Sequence, residues 1–238
     1  LVQCPDFAAT LRDCGALYIN RKSVRGWGET TAGYSRVIKD GMEGIKAHIH
    51  KVLDTLDITR PGDYEKIEYL KAMELAADGI SALGHRYAAE ARKLAEAEPD
   101  EKRRKELLQI AETCDQVPEK PARTFREAIQ SMYIYQTCIF MEQNAASYNP
   151  GRMDQYLYPF YKADIEAGRL TEEEAQELLD CLWVKFSEQC LFQDQVTAQF
   201  SAGYPMFQNV CCGGVDERGM DAVNDVSYLI LQATAEVQ

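Results

Sequence analysis

A long one-sided helical pattern is the feature of this sequence that most constrains its fold. After Pro61-Gly62-Asp63, apolar residues recur every three to four positions, as they do on one face of an α-helix. This apolar stripe consists of Ile67, Leu70, Met73, Ile80, Leu83, Tyr87 and Leu94. Pro99-Asp100 interrupts the pattern, and the strongly charged segment 101–114 predicts a further helix. A chain organised in this way folds mainly as packed helices, and we expect the stripe to lie in the core.

Two helix-start signals divide the following part of the chain. Thr124 with Glu127 predicts a capping box, and the helix that follows is apolar on nearly all sides and therefore buried. Thr171 with Glu174 predicts a second capping box. The buried stripe expected on the helix after Thr171 consists of Leu178, Leu179, Leu182, Trp183 and Phe186.

The pattern changes near the end of the chain. Segment 205–212 is short and apolar and is followed by Gly213-Gly214, which favours a buried strand ending in a turn. We expect Asp221 to cap a final helix. Strand, turn and helix in this order begin a β/α repeat. The sequence therefore predicts the α/β class: a mostly helical piece that one β/α unit joins at its end.

Charge and cysteine content exclude several classes of partner. The 26 basic and 38 acidic residues give a net charge of −12, which disfavours nucleic acid and anionic membranes. No apolar run approaches the roughly 20 residues that span a bilayer. The eight cysteines form no CxxC pair, so reduced thiols and a cytoplasmic location are expected. With three histidines and no Cys/His cluster, no metal site is predicted.

Two short strings stand out near the predicted β/α unit. In GRMDQ, Arg152 and Asp154 are two apart and cannot face each other on a helix. We expect them, with Gln155, to anchor a helix start to neighbouring segments. Adjacent Cys211 and Cys212 have no basic neighbour that would lower a thiol pKa, so buried, unreactive side chains are expected.

Residues 150–188, which include GRMDQ, and 206–233, which include FQNVCCGG, resemble the glycyl radical enzymes. The resemblance implies a ten-stranded β/α barrel wrapped in helices. Residues 1–238 would form part of one pyruvate formate-lyase-like domain, with the helical wrap over about 1–200 and the first barrel strand and helix over about 204–238. The family's GCVE-like cysteine loop and RVAGY-like glycine loop are absent from the sequence. We therefore expect an internal fragment of a longer enzyme that holds no catalytic residue itself.

The resemblance also implies a chemistry for the intact enzyme. An activating enzyme that uses S-adenosylmethionine and an iron–sulfur cluster would install the glycyl radical, and the enzyme would form a homodimer acting on a small organic substrate. The branch that cleaves isethionate into acetaldehyde and sulfite is the most similar, so carbon–sulfur cleavage of a hydroxyalkanesulfonate is expected, in the cytoplasm or a bacterial microcompartment. A radical dehydratase of a diol or hydroxy acid, or an inactive truncated remnant, is the alternative.

Three residues are expected to bind substrate in such an enzyme. Arg25 lies between Val24 and Gly26 in a Gly-rich, Trp-containing stretch, and in the isethionate branch an Arg at this position holds the sulfonate. Taken alone, the stretch favours Arg25 as a surface residue beside a packed Trp27, and the resemblance shifts the balance toward a substrate ligand. Glu29 stands where that branch has Gln, and a carboxylate would repel a sulfonate. Phe207 matches a cavity-lining Phe of the family, with a buried strand residue as the alternative.

Overall fold

The computed structural model describes residues 29–142, 147–189 and 208–237, and for Glu29 only the backbone. Two short strands, β1 (Glu29–Thr30) and β2 (Ser147–Tyr148), pair in parallel. The remaining named elements of the described ranges are helices, which confirms the prediction of a mostly helical piece. They are α1 (Tyr34–Leu53), α2 (Asp63–Ala97), α3 (Glu101–Gln116), α4 (Phe125–Glu142), α5 (Met153–Glu166), α6 (Glu172–Glu188) and α7 (Asp225–Glu236).

The main core lies between α4, α5, α6 and α7 and includes the first turn of α1. Helix α4 buries residues on most of its circumference, as its apolar composition predicts. Helix α6 begins with the predicted capping box, in which the Thr171 side chain accepts from the Glu174 N–H and the Glu174 carboxylate accepts from the Thr171 N–H. The buried stripe of α6 is confirmed at Leu179, Leu182 and Phe186.

The prediction for α2 is right about the helix and wrong about its buried face. Met73, Tyr87 and Leu94 are 41%, 51% and 50% exposed, and the other four stripe residues are half-buried. The buried face consists of small residues instead, at Ala77, Ser81, Gly84, Ala88, Ala91 and Ala95. Helix α2 packs closely along α3 and the connection after it: a Cβ on Gly84 would lie 3.0 Å from the Cys114 carbonyl oxygen. Close approach of two helix backbones requires small side chains between them.

Two predicted helix starts differ in detail from the structure. Asp221 does not cap the last helix, because α7 begins four residues later and Asn224 precedes its first turn. The Asp221 carboxylate accepts instead from the Val223 N–H, at 3.0 Å. At the start of α4, the Thr124 hydroxyl accepts from the Glu127 N–H, but the Glu127 carboxylate accepts from the N–H of Arg123 rather than of Thr124.

The predicted strand 205–212 is described only from Gln208 onward, and there it forms a single parallel bridge, between Val210 and Gly151. Together with β1–β2 this bridge makes a junction of three chain segments: 29–30, 147–151 and 208–214. We call it the three-segment junction. Within the described ranges, none of the helices combines the length and apolar character needed to cross a membrane.

Candidate functional site

The three-segment junction is held by backbone bonds and by one carboxamide. The Asn149 N–H donates to the Thr30 carbonyl at 2.8 Å, and its side-chain oxygen accepts from the Asn209 N–H at 2.9 Å. Gly151 donates its N–H to the Asn209 carbonyl at 3.2 Å and accepts from the Cys211 N–H at 2.8 Å. Residues 147–151 therefore connect the segment that contains Glu29 with the segment that follows Phe207.

Residues at the start of α5 form hydrogen bonds to the end of segment 208–214. Arg152 Nη2 donates to the Gly213 carbonyl, and Asp154 Oδ2 accepts from the Gly213 N–H, both at 2.6 Å. Ser227 Oγ, on α7, donates to the same Asp154 oxygen at 2.6 Å. We call Arg152, Asp154 and Ser227 the Gly213 clamp. Gln155 adds a bond to the Ala222 carbonyl, so the prediction that GRMDQ anchors a helix start to neighbouring segments is confirmed.

The clamp needs glycine at its centre. Gly213 has φ of +64°, a conformation that residues with a Cβ rarely adopt, and an added Cβ would lie 2.7 Å from Val223 Cγ2. Asp154 is fully buried, and its second oxygen, Oδ1, has no hydrogen-bond partner among the described residues. One oxygen of this buried carboxylate thus accepts two hydrogen bonds while the other accepts none, which is unusual for a purely structural contact.

A hydrogen-bonded set of phenols and amides lies beside the junction, in which Tyr34, Gln136 and Gln189 are buried and Tyr156 is half-buried. Tyr34 donates to Gln136 Oε1 at 3.1 Å, and Gln136 in turn donates to Gln189 Oε1 at 2.8 Å. Tyr156 stacks on Tyr34 with ring centroids 6.4 Å apart and donates to the Pro150 carbonyl at 3.0 Å. Burial raises the pKa of both Tyr34 and Tyr156, so both phenols stay neutral hydrogen-bond donors. They give this side of the junction an uncharged lining.

Most of the predicted substrate residues lie beyond what the structure describes. Arg25 and Phe207 are outside the described residues. Of Glu29 the backbone is described, and it is paired with Ser147 in the parallel register. Gln208, which follows Phe207, donates from Nε2 to the Phe186 carbonyl at 3.2 Å. The segments that carry Glu29 and Gln208 thus share one neighbour, segment 147–151.

The two adjacent cysteines differ from each other. Cys211 is exposed, so the prediction that both side chains are buried is wrong for it, since its side chain leaves the packed face of the segment. Cys212 is half-buried, and burial, with the nearby Asp154 charge, raises the pKa of its thiol to about 11. A protonated thiol is a poor nucleophile. Over the described ranges, no group of three or more His, Cys, Asp or Glu side chains could hold a metal ion.

Sequence reasoning missed three residues that organise the site. Asn149 reads as a turn residue, yet its carboxamide bridges two of the three segments. Ser227 reads as an ordinary helix residue, although its place three residues after Asn224 is typical of a cap position. Gln136 lies in the middle of α4, a helix that is buried on most sides, and a polar residue at such a place indicates a buried hydrogen bond.

A separate groove runs between α2 and α4, with a volume of about 800 Å³. Its lining is mostly apolar and includes Ile80, Leu83, Tyr135 and Ile139. Two of the seven residues of the α2 stripe, Ile80 and Leu83, therefore border a concave surface rather than the core. The lining includes Cys138 and Glu142, but burial raises the pKa of the Cys138 thiol to about 11 and makes it a poor nucleophile, which leaves the three-segment junction as the better candidate site.

The chain is similar in sequence and in fold to known proteins. The Pyruvate formate lyase-like family matches residues 5–238. Trans-4-hydroxy-L-proline dehydratase of Clostridioides difficile is 42% identical over 214 residues, which are 89% of this chain and 27% of that protein. Isethionate sulfite-lyase of Bilophila wadsworthia is 40% identical over 206 residues, 85% of this chain and 25% of that protein.

A solved structure has the same fold. The structure solved for 1,2-propanediol dehydration in Roseburia inulinivorans superposes with a TM-score of 0.88 at 37% identity, over 96% of this chain and 29% of that one. The chain thus spans about a quarter of the length of the curated relatives it matches. The predicted fold class is confirmed: the helices and the three-segment junction are part of a larger fold that these relatives share. The chain belongs to the pyruvate formate lyase-like family and is a fragment of a glycyl radical enzyme.

Proposed function

We propose that the full-length protein is a glycyl radical lyase that eliminates a leaving group from a small organic substrate. An activating enzyme, using S-adenosylmethionine and an iron–sulfur cluster, installs the radical on a glycine outside this sequence. The radical would pass to a cysteine, also outside it, whose thiyl form would abstract a hydrogen atom from the substrate. The adjacent leaving group would then depart, and the product radical would take the hydrogen atom back from the cysteine thiol. Family membership supports this proposal, and the two curated relatives above are named for the elimination of sulfite and of water.

Isethionate is the first candidate substrate, with acetaldehyde and sulfite as products. Arg25 would bind the sulfonate through the paired N–H groups of its guanidinium, and Phe207 would line the cavity. The identity of 40% to an isethionate sulfite-lyase supports this choice. Glu29 would have to pair with Arg25 or be protonated, because an ionised carboxylate repels a sulfonate.

Dehydration of a diol or hydroxy acid is the second candidate. The identity of 42% to a hydroxyproline dehydratase and the fold match to a propanediol-dehydrating enzyme favour it. A carboxylate at position 29 could accept a hydrogen bond from a substrate hydroxyl, which a Gln does less strongly. Relatives from both substrate classes are almost equally similar to this chain in sequence. We therefore take Glu29 as the residue that distinguishes the two candidate substrate classes.

The described residues would serve this reaction as a frame. Segment 147–151 holds the backbone of the two segments next to the proposed substrate residues, and the neutral Tyr156 hydroxyl donates to the Pro150 carbonyl of that segment. In such enzymes the radical performs the bond cleavage, and the protein supplies orientation and a dry pocket. We further propose a homodimer in the cytoplasm or a bacterial microcompartment, with the activating enzyme as partner.

A product assay tests the proposal. The full-length protein is activated anaerobically by a glycyl radical activase and supplied separately with isethionate and with propane-1,2-diol. Sulfite and acetaldehyde from isethionate support the first candidate, and propanal from the diol supports the second. No product from either substrate, in a protein that carries the radical, would reject both. A full-length sequence that lacks the catalytic Cys or Gly would instead favour an inactive remnant.

A further inference from the structure

We propose that Asp154 is a positioning residue, which holds segment 208–214 in the register that the reaction requires. The inference rests on the proposed function, because this segment directly follows Phe207, a proposed substrate contact. Asp154 itself does not touch substrate. It acts through Gly213 at one end of the segment and through Ser227 on α7 at the other side of the clamp.

Alternate residues of the segment are fixed against the same neighbour. The backbone groups of Asn209 and Cys211 bond to Asn149 and Gly151, and both backbone groups of Gly213 bond to the clamp. A one-residue slip would break this whole set and would turn every side chain of the segment to the opposite face. Only two of these anchors, Arg152 and Asp154, hold the segment by charged side chains.

The chemistry of Asp154 is better suited to register than to stability. Its Oδ2 atom accepts two short bonds, of the strength expected for a charged acceptor. Its Oδ1 atom is buried without a partner in the described part of the chain, and a buried unpaired oxygen is costly. Replacing buried charges by apolar side chains often leaves a fold equally stable, whereas buried polar groups can select one arrangement over others.

One carboxylate oxygen therefore joins three parts of the fold. Through Asp154 Oδ2, the first turn of α5, the Gly213 turn and the first turn of α7 meet at a single atom. Ser227 Oγ also accepts from the Asn224 N–H at 3.1 Å, which fixes the direction of its own proton toward Asp154. Loss of this oxygen's charge would loosen the Gly213 turn without removing apolar packing.

The test compares two buried aspartates of α5 in the full-length protein. Asp154→Asn removes the clamp charge, and Asp164→Asn is the matched control. Asp164 is 3% exposed and also accepts a backbone N–H, that of Phe125 at 2.8 Å, but it pairs with Arg169 and does not contact segment 208–214. Both variants should lower the thermal midpoint. Radical content after activation, measured by electron paramagnetic resonance, normalises the activities.

With the better of the two substrates, Asp154→Asn should lower kcat/KM about tenfold or more, mainly in kcat, at unchanged radical content. Asp164→Asn should stay within about twofold of the wild type. Hydrogen exchange of the amides in 208–214 should quicken about tenfold in the first variant only. Equal activity losses in both variants, or unchanged kinetics in Asp154→Asn, would overturn the proposal.

Two further arms keep the result decisive. If Asp154→Asn does not fold, Ser227→Ala, which removes one donor to Oδ2, takes its place with the same expected pattern at a smaller amplitude. If the wild type acts on neither substrate, the proposed function has failed. Hydrogen exchange alone then decides whether Asp154 holds segment 208–214. Unchanged exchange of the Gly213 amide in Asp154→Asn would show that the clamp does not hold the segment.

Discussion

At the scale of single residues, Arg25 is the proposed sulfonate ligand, and its geometry matters as much as its charge. A guanidinium presents paired N–H donors to two oxygens of one anion, whereas an ammonium is a point charge. We expect Arg25→Ala to lower kcat/KM on isethionate about tenfold or more, and Arg25→Lys to recover little of that loss. Steady-state kinetics of the activated enzyme checks this. A loss of less than about twofold for Arg25→Ala would exclude Arg25 as a ligand.

Glu29 separates the two substrate classes by the sign of one effect. If isethionate is the substrate, Glu29→Gln should raise kcat/KM, because it removes a like charge and restores an amide donor. If a diol or hydroxy acid is the substrate, the same change should lower kcat/KM by the equivalent of about 1–3 kcal/mol, because a substrate hydroxyl loses its acceptor. Assays of the wild type and Glu29→Gln on both substrates give the sign of the change in kcat/KM. An unchanged value on each would remove Glu29 from the site.

His85 makes the stability of the α2–α3 pair depend on pH. Its Nδ1 lies 3.2 Å from Asp115 Oδ1 and its Nε2 lies 3.0 Å from Glu119 Oε2, and only the protonated ring can donate to both. The hydrogen bond to Asp115, followed by that to Glu119, raises the pKa of His85 above its ordinary value of 6.5. The contacts of protonated His85 with Asp115 and Glu119 therefore stabilise the fold fully below pH 6.5, and this stabilisation is lost as the pH rises through the raised pKa of His85.

We expect the thermal midpoint of the wild type to exceed that of His85→Gln by about 1–2 °C at pH 5.5, with the difference vanishing near pH 9. The amplitude is small because the His85 side chain is 45% exposed and water screens its pairs. Parallel thermal melts of the two proteins across this range measure it. A constant difference would mean that the protonation of His85 does not stabilise the native state.

At the scale of elements, the packing of α2 on α3 depends on Gly84. A Cβ there would lie 3.0 and 3.1 Å from the carbonyl oxygens of Cys114 and Val117, and neither backbone group can move away easily. Gly79, on the same helix, has nothing within 4 Å of its Cβ position. Gly79→Ala should therefore raise the free energy of unfolding by up to about 1 kcal/mol, the difference in helix propensity.

Gly84→Ala should instead lower the free energy of unfolding, by about 1–3 kcal/mol, because the gain in propensity is outweighed by overpacking. Chemical denaturation of both variants beside the wild type distinguishes the two positions. An equal increase in the free energy of unfolding for both variants would mean that α2 and α3 do not approach as closely as the structure has them.

Periodicity predicted the helices better than it predicted their environment. Leu179, Leu182 and Phe186 of the α6 stripe are buried in the main core, which α6 shares with α7. The α2 stripe follows the same spacing in sequence, yet the buried face of α2, against α3, is a neighbouring stripe of small residues. A 3.6-residue period identifies a helix face but not the distance to its neighbour, and that distance selects between large and small residues.

Tertiary contacts also determine where α7 begins and which residues the Gly213 clamp holds. Asp221 is a sound cap residue by type, but the turn of 213–222 places α7 four residues later. GRMDQ was predicted to anchor neighbouring segments, and it does so through Gly213 and Ala222. Sequence alone could not give these partners, because they are separated from α5 by about sixty residues and meet only in the folded chain.

At the scale of the whole molecule, the described residues form a frame without a reaction centre. The three-segment junction joins segments 29–30, 147–151 and 208–214 through backbone hydrogen bonds and the Asn149 carboxamide. The chain spans about a quarter of its curated relatives, and neither radical-bearing motif occurs in it. We therefore expect the 238-residue chain alone to have no turnover on any of these substrates, with or without an activase.

The most direct test of the central claim is sulfite release from isethionate by the full-length protein after anaerobic activation. The proposed function predicts a glycyl radical signal in electron paramagnetic resonance, with sulfite and acetaldehyde formed in equal amounts only when that signal is present. The 238-residue chain, treated identically, is the control and should form neither product. A full radical signal without sulfite, accompanied by rapid formation of propanal from propane-1,2-diol, would contradict carbon–sulfur cleavage and establish the dehydratase instead.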